Sequence, residues 1–200
     1  MEKPIRILVL NGSIRPGNYT AMASALVVDE LRKYPKVDVE VITIGELKLD
    51  PPGINPNSPD AKRLQDAVKG ATAIVIVTPE YHGSFSSLVK LAIENLGFPS
   101  VLAGKPMALL GVAAGTIGAI KSLEHLRGVL SHVGAMVLPL LTSVPNVQSV
   151  FDKEGHCLDP KIEKMIRGVA TQLMQYIENA VCPRVTLEAL LRGEPVGAGH

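Results

Sequence analysis

Tryptophan is absent from this chain, and only three phenylalanines and four tyrosines occur in its 200 residues. An excess of charge of one sign is missing too, because 20 Lys+Arg against 19 Asp+Glu leave a formal +1. With no basic stripe and few aromatics to interleave, the footprint of a nucleic-acid binder is lacking. Cysteine is scarce: Cys157 and Cys182 make no CxxC pair and no zinc spacing, which excludes a disulfide framework and a cysteine metal cluster. A reducing compartment fits that usage. No apolar run reaches the roughly eighteen residues of a membrane-spanning helix. The run Ile7–Leu10 is too short for the core of a signal peptide, so a cytoplasmic location is expected. Two nucleotide fingerprints are also missing. There is no G-x-G-x-x-G and no glycine-rich loop closing on Lys-Ser/Thr, so neither a dinucleotide fingerprint nor a P-loop is present.

What remains is an ordinary globular composition, 46% apolar and 20% charged. A chain of this length buries roughly 70% of its unfolded surface, enough for one substantial core. Residues 1–182 read as one domain and 183–200 as a C-terminal arm or tail. Continuous apolar runs at Ile5–Leu10, Val37–Ile44, Thr72–Val77, Met107–Val112 and Ala135–Leu140 read as strands. Val37–Ile44 alternates like a peripheral strand, whereas the other four are apolar throughout, as strands covered on both faces are.

Between them lie segments of helical period. They are about Asn18 or Thr20 to Tyr34 (Met22, Ala25, Leu26, Leu31 inward), Asp60–Lys69 (Ala61, Leu64, Val68) and Ser86–Leu96 (Leu88, Leu91, Ala92, Leu96). Two more follow, Gly118–Val133 (Ile120, Leu123, Leu126, Leu130, Val133) and Pro160–Ile177 (Ile162, Met165, Ile166, Val169, Leu173, Ile177). From Pro183 the rhythm fails, leaving a short helix at Leu187–Leu191 and a tail that packs on a neighbouring subunit or frays. Strict β-α alternation predicts an α/β, three-layer sandwich, because each right-handed crossover needs a helix to return the chain. Five strands fit the flavodoxin-like parallel sheet of order 2-1-3-4-5.

In such a sheet a ligand binds beyond the carboxyl ends of the strands, where the order reverses, between strands one and three. The loops there read NGSIRPGNYT and TPEYHGSFSS. The first opens a helix, so its N–H groups lack partners and carry the positive end of the helix dipole. Ser13, Asn18 and Thr20 add polar donors, and the Arg15 guanidinium matches phosphate oxygens. Gly12 and Gly17 permit a tight turn. The competing reading is a plainly capped helix with Arg15 on the surface. A small polar pocket with one cation suits a terminal monophosphate ester such as that of FMN.

In the second loop, Pro79 fixes the backbone, Glu80 is a surface carboxylate or holds the loop, and Tyr81, His82, Gly83 and Ser84 form an irregular edge. Gly83 and Ser84 allow close approach of a flat heterocycle. His82 is an acid or base, or a hydrogen-bonding loop residue; Tyr81 is a ring wall or a half-buried anchor. A third loop offers Gly111, Ala113, Ala114, Gly115 and Gly118, which leave room for a ring edge or serve close helix packing. Lys121, Glu124, His125 and Arg127 read as a solvated or subunit-facing side of the helix that follows, with Arg127 in reach of a pyridine nucleotide's phosphates.

With these loops in view, the chain resembles the NADPH-dependent FMN reductase family over roughly residues 5–180. The family's first loop has the form G-S-x-R-x-x-S-x-N, and here Asn18 stands for serine and Thr20 for asparagine. Its second is P-E-Y-N-x-S-x-P, and here His82 stands for asparagine and Ser86 for proline, with Lys90 and Ala92 following. The stretch LRGVLSHVGAMVLP also matches.

The resemblance implies FMN held at its phosphate by Ser13, Arg15, Asn18 and Thr20, with Tyr19 also binding the cofactor. Pro79, Glu80, Tyr81, His82, Gly83, Ser84 and Gly115 would then frame the ring. It implies electron transfer from NADPH or NADH through FMN to a small acceptor such as a quinone, free flavin, azo compound or metal oxyanion. The cofactor then carries the chemistry, with His82 as the possible catalytic side chain, no metal, and a homodimer or homotetramer as the working form. The rivals are an FMN-binding electron carrier and a regulatory nucleotide-binding protein on the same fold. A carrier of the flavodoxin type is usually acidic and sandwiches its ring between aromatics, which this composition does not favour.

Overall fold

The computed structural model describes residues 5–193. Five long parallel strands form the sheet: β1 (Ile5–Asn11), β2 (Val37–Thr43), β3 (Ala73–Tyr81), β5 (Pro106–Val112) and β6 (Met136–Val144). A two-residue strand, β4 (Ser84–Phe85), pairs antiparallel with the end of β3. The long strands lie in the order β2-β1-β3-β5-β6, which is the flavodoxin-like 2-1-3-4-5 arrangement with one short strand added to the count. The helices are α1 (Tyr19–Leu31), α2 (Pro59–Gly70), α3 (Ser87–Glu94), α4 (Ile120–His132), α5 (Pro160–Tyr176) and α6 (Cys182–Leu191).

Because successive side chains of a strand point to opposite faces, each buried run feeds two cores. Ile7, Val9, Val75, Val77, Ala108 and Leu110 pack with α1 and α5 on one side. Leu8, Leu10, Ile74, Ile76, Met107 and Leu109 pack with α2, α3 and α4 on the other. That is the three-layer sandwich.

Several sequence readings shift. α1 buries Ala23, Val27, Val28 and Leu31, while Met22 and Leu26 are half-buried and Ala25 is exposed. The buried face is Thr20, Ala23, Ser24, Val27, Val28 and Leu31, at three- and four-residue steps; it includes two small polar residues, so the apolar residues alone place the inward face off by a fraction of a turn. The last strand is not covered on both faces: β6 is a sheet edge, and Met136 and Leu140 are exposed. Nor does the helical rhythm stop at Pro183. A π-helical turn at Ile177–Val181 joins α5 to α6, which starts five residues before the expected Leu187 and buries none of its side chains. The expected tail beyond residue 193 lies outside the described residues.

The two sheet edges differ. β2 alternates Asp38 and Glu40 with its valines. In β6 the register against β5 breaks between Met107 and Leu109, opposite a segment that contains Pro139. There Arg127 Nη2 donates to the Pro139 carbonyl at 2.5 Å.

Candidate functional site

The carboxyl ends of β1, β3 and β5 open into a crevice of about 520 Å³. Its lining brings together Ser13, Arg15, Asn18, Tyr19 and Thr20 from the first loop and Pro79, Glu80 and Tyr81 from the end of β3. The order reversal at β1 and β3 puts the first two loops on opposite sides of one gap.

The first loop is a row of unused donors. The N–H groups of Arg15, Gly17, Asn18, Tyr19 and Thr20 have no partner among the described residues. The Ser13 hydroxyl is buried, the residue being 3% exposed, and it too lacks a hydrogen-bond partner. A buried polar atom left alone costs about 1–3 kcal/mol, so such an arrangement asks for a polar ligand. Arg15 is exposed at the rim. Asn18 is less available than its residue type implied. Its Oδ1 accepts from Ala21 N–H at 2.7 Å as the N-cap of α1, and its Nδ2 donates to the Arg15 carbonyl at 2.6 Å. Gly17 has φ +60, where glycine is favoured. Gly12 is needed for a different reason, since a Cβ there would lie 2.6 Å from Val89 Cγ2 and 3.0 Å from the Val77 carbonyl. Tyr19 stacks on Phe151, with ring centroids 6.4 Å apart.

The second loop is a hairpin, not an irregular edge. His82 (φ 52) and Gly83 (φ 79) occupy the two left-handed positions that a type I′ turn requires. Asparagine, aspartate and histidine tolerate that region better than other side chains, which accounts for a histidine where asparagine is expected. Glu80 holds the loop: its carboxylate accepts from the Gly83 N–H. His82, Gly83 and Ser84 therefore stand at the hairpin's tip and are not part of the crevice lining. Ser86, in place of proline, fastens the two loops. It caps α3, donates to the Gly12 carbonyl at 2.7 Å, and its N–H donates to Thr78 Oγ1 at 3.2 Å.

The third loop contributes Val112, Ala113 and Ala114. Gly115 is not among the lining residues, but a Cβ there would meet open space beside them. Arg127, held at the Pro139 carbonyl, is not part of the crevice. Val147 and Gln148, from a turn after β6, complete the lining and were not foreseen. No glycine-rich pattern marks that turn, and only the left-handed Asn146 (φ 46) hints at it. Among the described residues no cluster of His, Cys, Asp or Glu has the arrangement to hold a metal. No helix is long and apolar enough to cross a membrane.

Comparison with known proteins points one way. A family model described as NADPH-dependent FMN reductase matches residues 5–148. An NAD(P)H-dependent FMN reductase of Pseudomonas aeruginosa is 29% identical over 184 residues, covering 88% of this chain and 97% of its own. An NADPH azoreductase of a Bacillus species is 26% identical over 175 residues, covering 87% and 96%. Among solved structures, the flavoenzyme NAD(P)H:(acceptor) oxidoreductase FerB of Paracoccus denitrificans superposes with a TM-score of 0.71 at 25% identity, covering 86% of this chain and 97% of its own.

Proposed function

The chain belongs to the NADPH-dependent FMN reductase family, and on that premise we propose how its own residues serve a flavin-dependent oxidoreductase. As a family member it is an enzyme that uses FMN and a reduced pyridine nucleotide. The carrier reading is not favoured, since the relatives are named as reductases. When bound, FMN supplies the redox chemistry, accepting a hydride from the pyridine nucleotide and passing electrons to a second acceptor.

The observation that carries the site assignment is the buried, unpartnered Ser13 hydroxyl beside the free N–H groups of α1 and the Arg15 guanidinium. In this reading Ser13, Arg15 and the N–H groups from Gly17 to Thr20 bind the phosphate, with Asn18 acting mainly as the helix cap. The donors are fixed before the ligand arrives, so little ordering accompanies binding. Pro79 and Tyr81 wall the ring on one side, and the small Ala113, Ala114 and Gly115 let its edge approach the backbone. Glu80, His82, Gly83 and Ser84 act by shaping the hairpin that carries Tyr81. No proton needs to be moved by a protein side chain for hydride transfer itself, so His82 is assigned a conformational role.

The acceptor class proposed is a small planar oxidant, a quinone, free flavin or azo compound, with a metal oxyanion as the non-planar alternative. The proposed setting is the cytoplasm. We propose 183–193 as an arm of a homodimer or homotetramer. The exposure of Val185, Leu187, Leu190 and Leu191 on α6, and of Phe98 at 99%, supports a subunit contact. Light scattering of the chain truncated after Val181 checks that arm.

The test of the site is the visible spectrum of the purified protein, followed by titration with FMN and stopped-flow bleaching by NADPH and NADH. Uptake of FMN with bleaching by at least one nucleotide is expected. A crevice that takes up no FMN when it is supplied in excess ends this reading.

A further inference from the structure

The segment after β5 divides its main-chain groups unevenly. The Ala113 carbonyl accepts from Val147 N–H at 3.0 Å, and the Gly115 carbonyl from the N–H groups of Gly118 at 3.1 Å and Asn146 at 3.3 Å. Between them, the Ala114 carbonyl accepts from Gln148 Nε2 at 3.1 Å. The N–H groups of Ala114, Gly115 and Thr116 have no acceptor among the described residues. These belong to the same three peptide units whose carbonyls are held. In a planar trans peptide the C=O and N–H point in opposite directions. Each carbonyl drawn toward the Asn146–Gln148 turn therefore aims its N–H the other way. Ala113, Ala114, Val147 and Gln148 all line the crevice, so this run of unpaired N–H groups stands at its edge.

Successive N–H groups of this kind form a concave donor site for an electron-rich edge. The outer two peptides are held by backbone, but the middle one depends on a single exposed side-chain amide. We propose that Gln148 is a positioning residue for the flavin ring: its amide holds the Ala114–Gly115 peptide with the N–H turned into the crevice. This rests on FMN being the ligand of that crevice. Gln148 does not react. It sets a donor that strengthens as negative charge gathers at the polar rim of a reduced ring.

The test uses riboflavin alongside FMN, because riboflavin carries the ring without the phosphate. Gln148→Met keeps the length and removes the donor. It is expected to weaken binding of both flavins by the same factor, about three- to tenfold, the net worth of one hydrogen bond. The visible bands of the bound ring should move, and the melting temperature should not, since the side chain is exposed. Gln148→Lys restores a donor to the Ala114 carbonyl and should restore both riboflavin affinity and band position. If Gln148→Met binds riboflavin as tightly as the parent, or if Met and Lys variants lose affinity equally, the inference is overturned while the FMN reading stands. If the parent protein binds neither flavin, the FMN reading itself has failed.

Discussion

Compare the two ends of the crevice. At the end proposed for the phosphate, the donors all come from Ser13 to Thr20, and the helix that points them is the next element in the chain. At the ring end, each wall is held by a partner brought by folding: the third loop by Asn146–Gln148, and the hairpin's root by Ser86 bound to Gly12. Chemistry at the first end needs only local geometry, since a loop entering a helix exposes donors by itself. At the second, the backbone becomes a recognition surface only after distant segments take up its carbonyls. On the proposed reading, affinity for charge is local, and shape for a ring is not.

The sharpest way to break that comparison is Arg15→Ala. It should weaken FMN by roughly ten- to a hundredfold, the range for a charge-assisted hydrogen bond, and leave riboflavin unchanged. Fluorescence titration with both flavins reads it, and an equal loss for both would dissolve the division into two ends. Next in size is Gly12→Ala, at the junction of the ends. The new methyl meets Val89 and the Val77 carbonyl. It should cost about 1–3 kcal/mol in a urea melt, because backbone cannot yield cheaply; an unaltered midpoint would show that the junction is loose.

Ser86→Ala should cost about 1–2 kcal/mol by removing a helix cap and leaving the Gly12 carbonyl alone. It sharpens the comparison if ring affinity falls with stability. The smallest effect belongs to His82. His82→Asn should stay within about 0.5 kcal/mol of the parent in stability and keep its NADPH oxidation, since asparagine suits the same left-handed turn. His82→Val should cost about 1 kcal/mol or more at that φ. A collapse of turnover in the Asn variant alone would make the histidine chemical after all.

The same division explains what could be read from the sequence. Strand and helix positions followed from apolar runs and periods, and the strand order from alternation, because both are local or follow from handedness. The first loop was legible for the same reason. The hairpin at Tyr81–Ser84 is within reach of the sequence, since His-Gly between short extended segments is a two-residue turn pattern. Val147 and Gln148 were out of reach, because their place in the crevice lining exists only where β6 lies beside β5. The inward face of α1 is displaced from the apolar pattern because Thr20 and Ser24 are buried in it while Ala25 is exposed. Leu140 and Met136 look buried by composition, yet nothing in a strand's own residues says that no further strand follows.

The two margins of the sheet bear on how this protein behaves in bulk. An uninterrupted parallel sheet ends in two ladders of open peptide groups that any copy can extend. Here one margin repels its like through Asp38 and Glu40, and the other is jammed by a proline with an arginine drawn across its carbonyl. Self-templated fibre growth is thereby denied a starting rung, so concentrated solutions should stay clear even though apolar side chains remain on the outside.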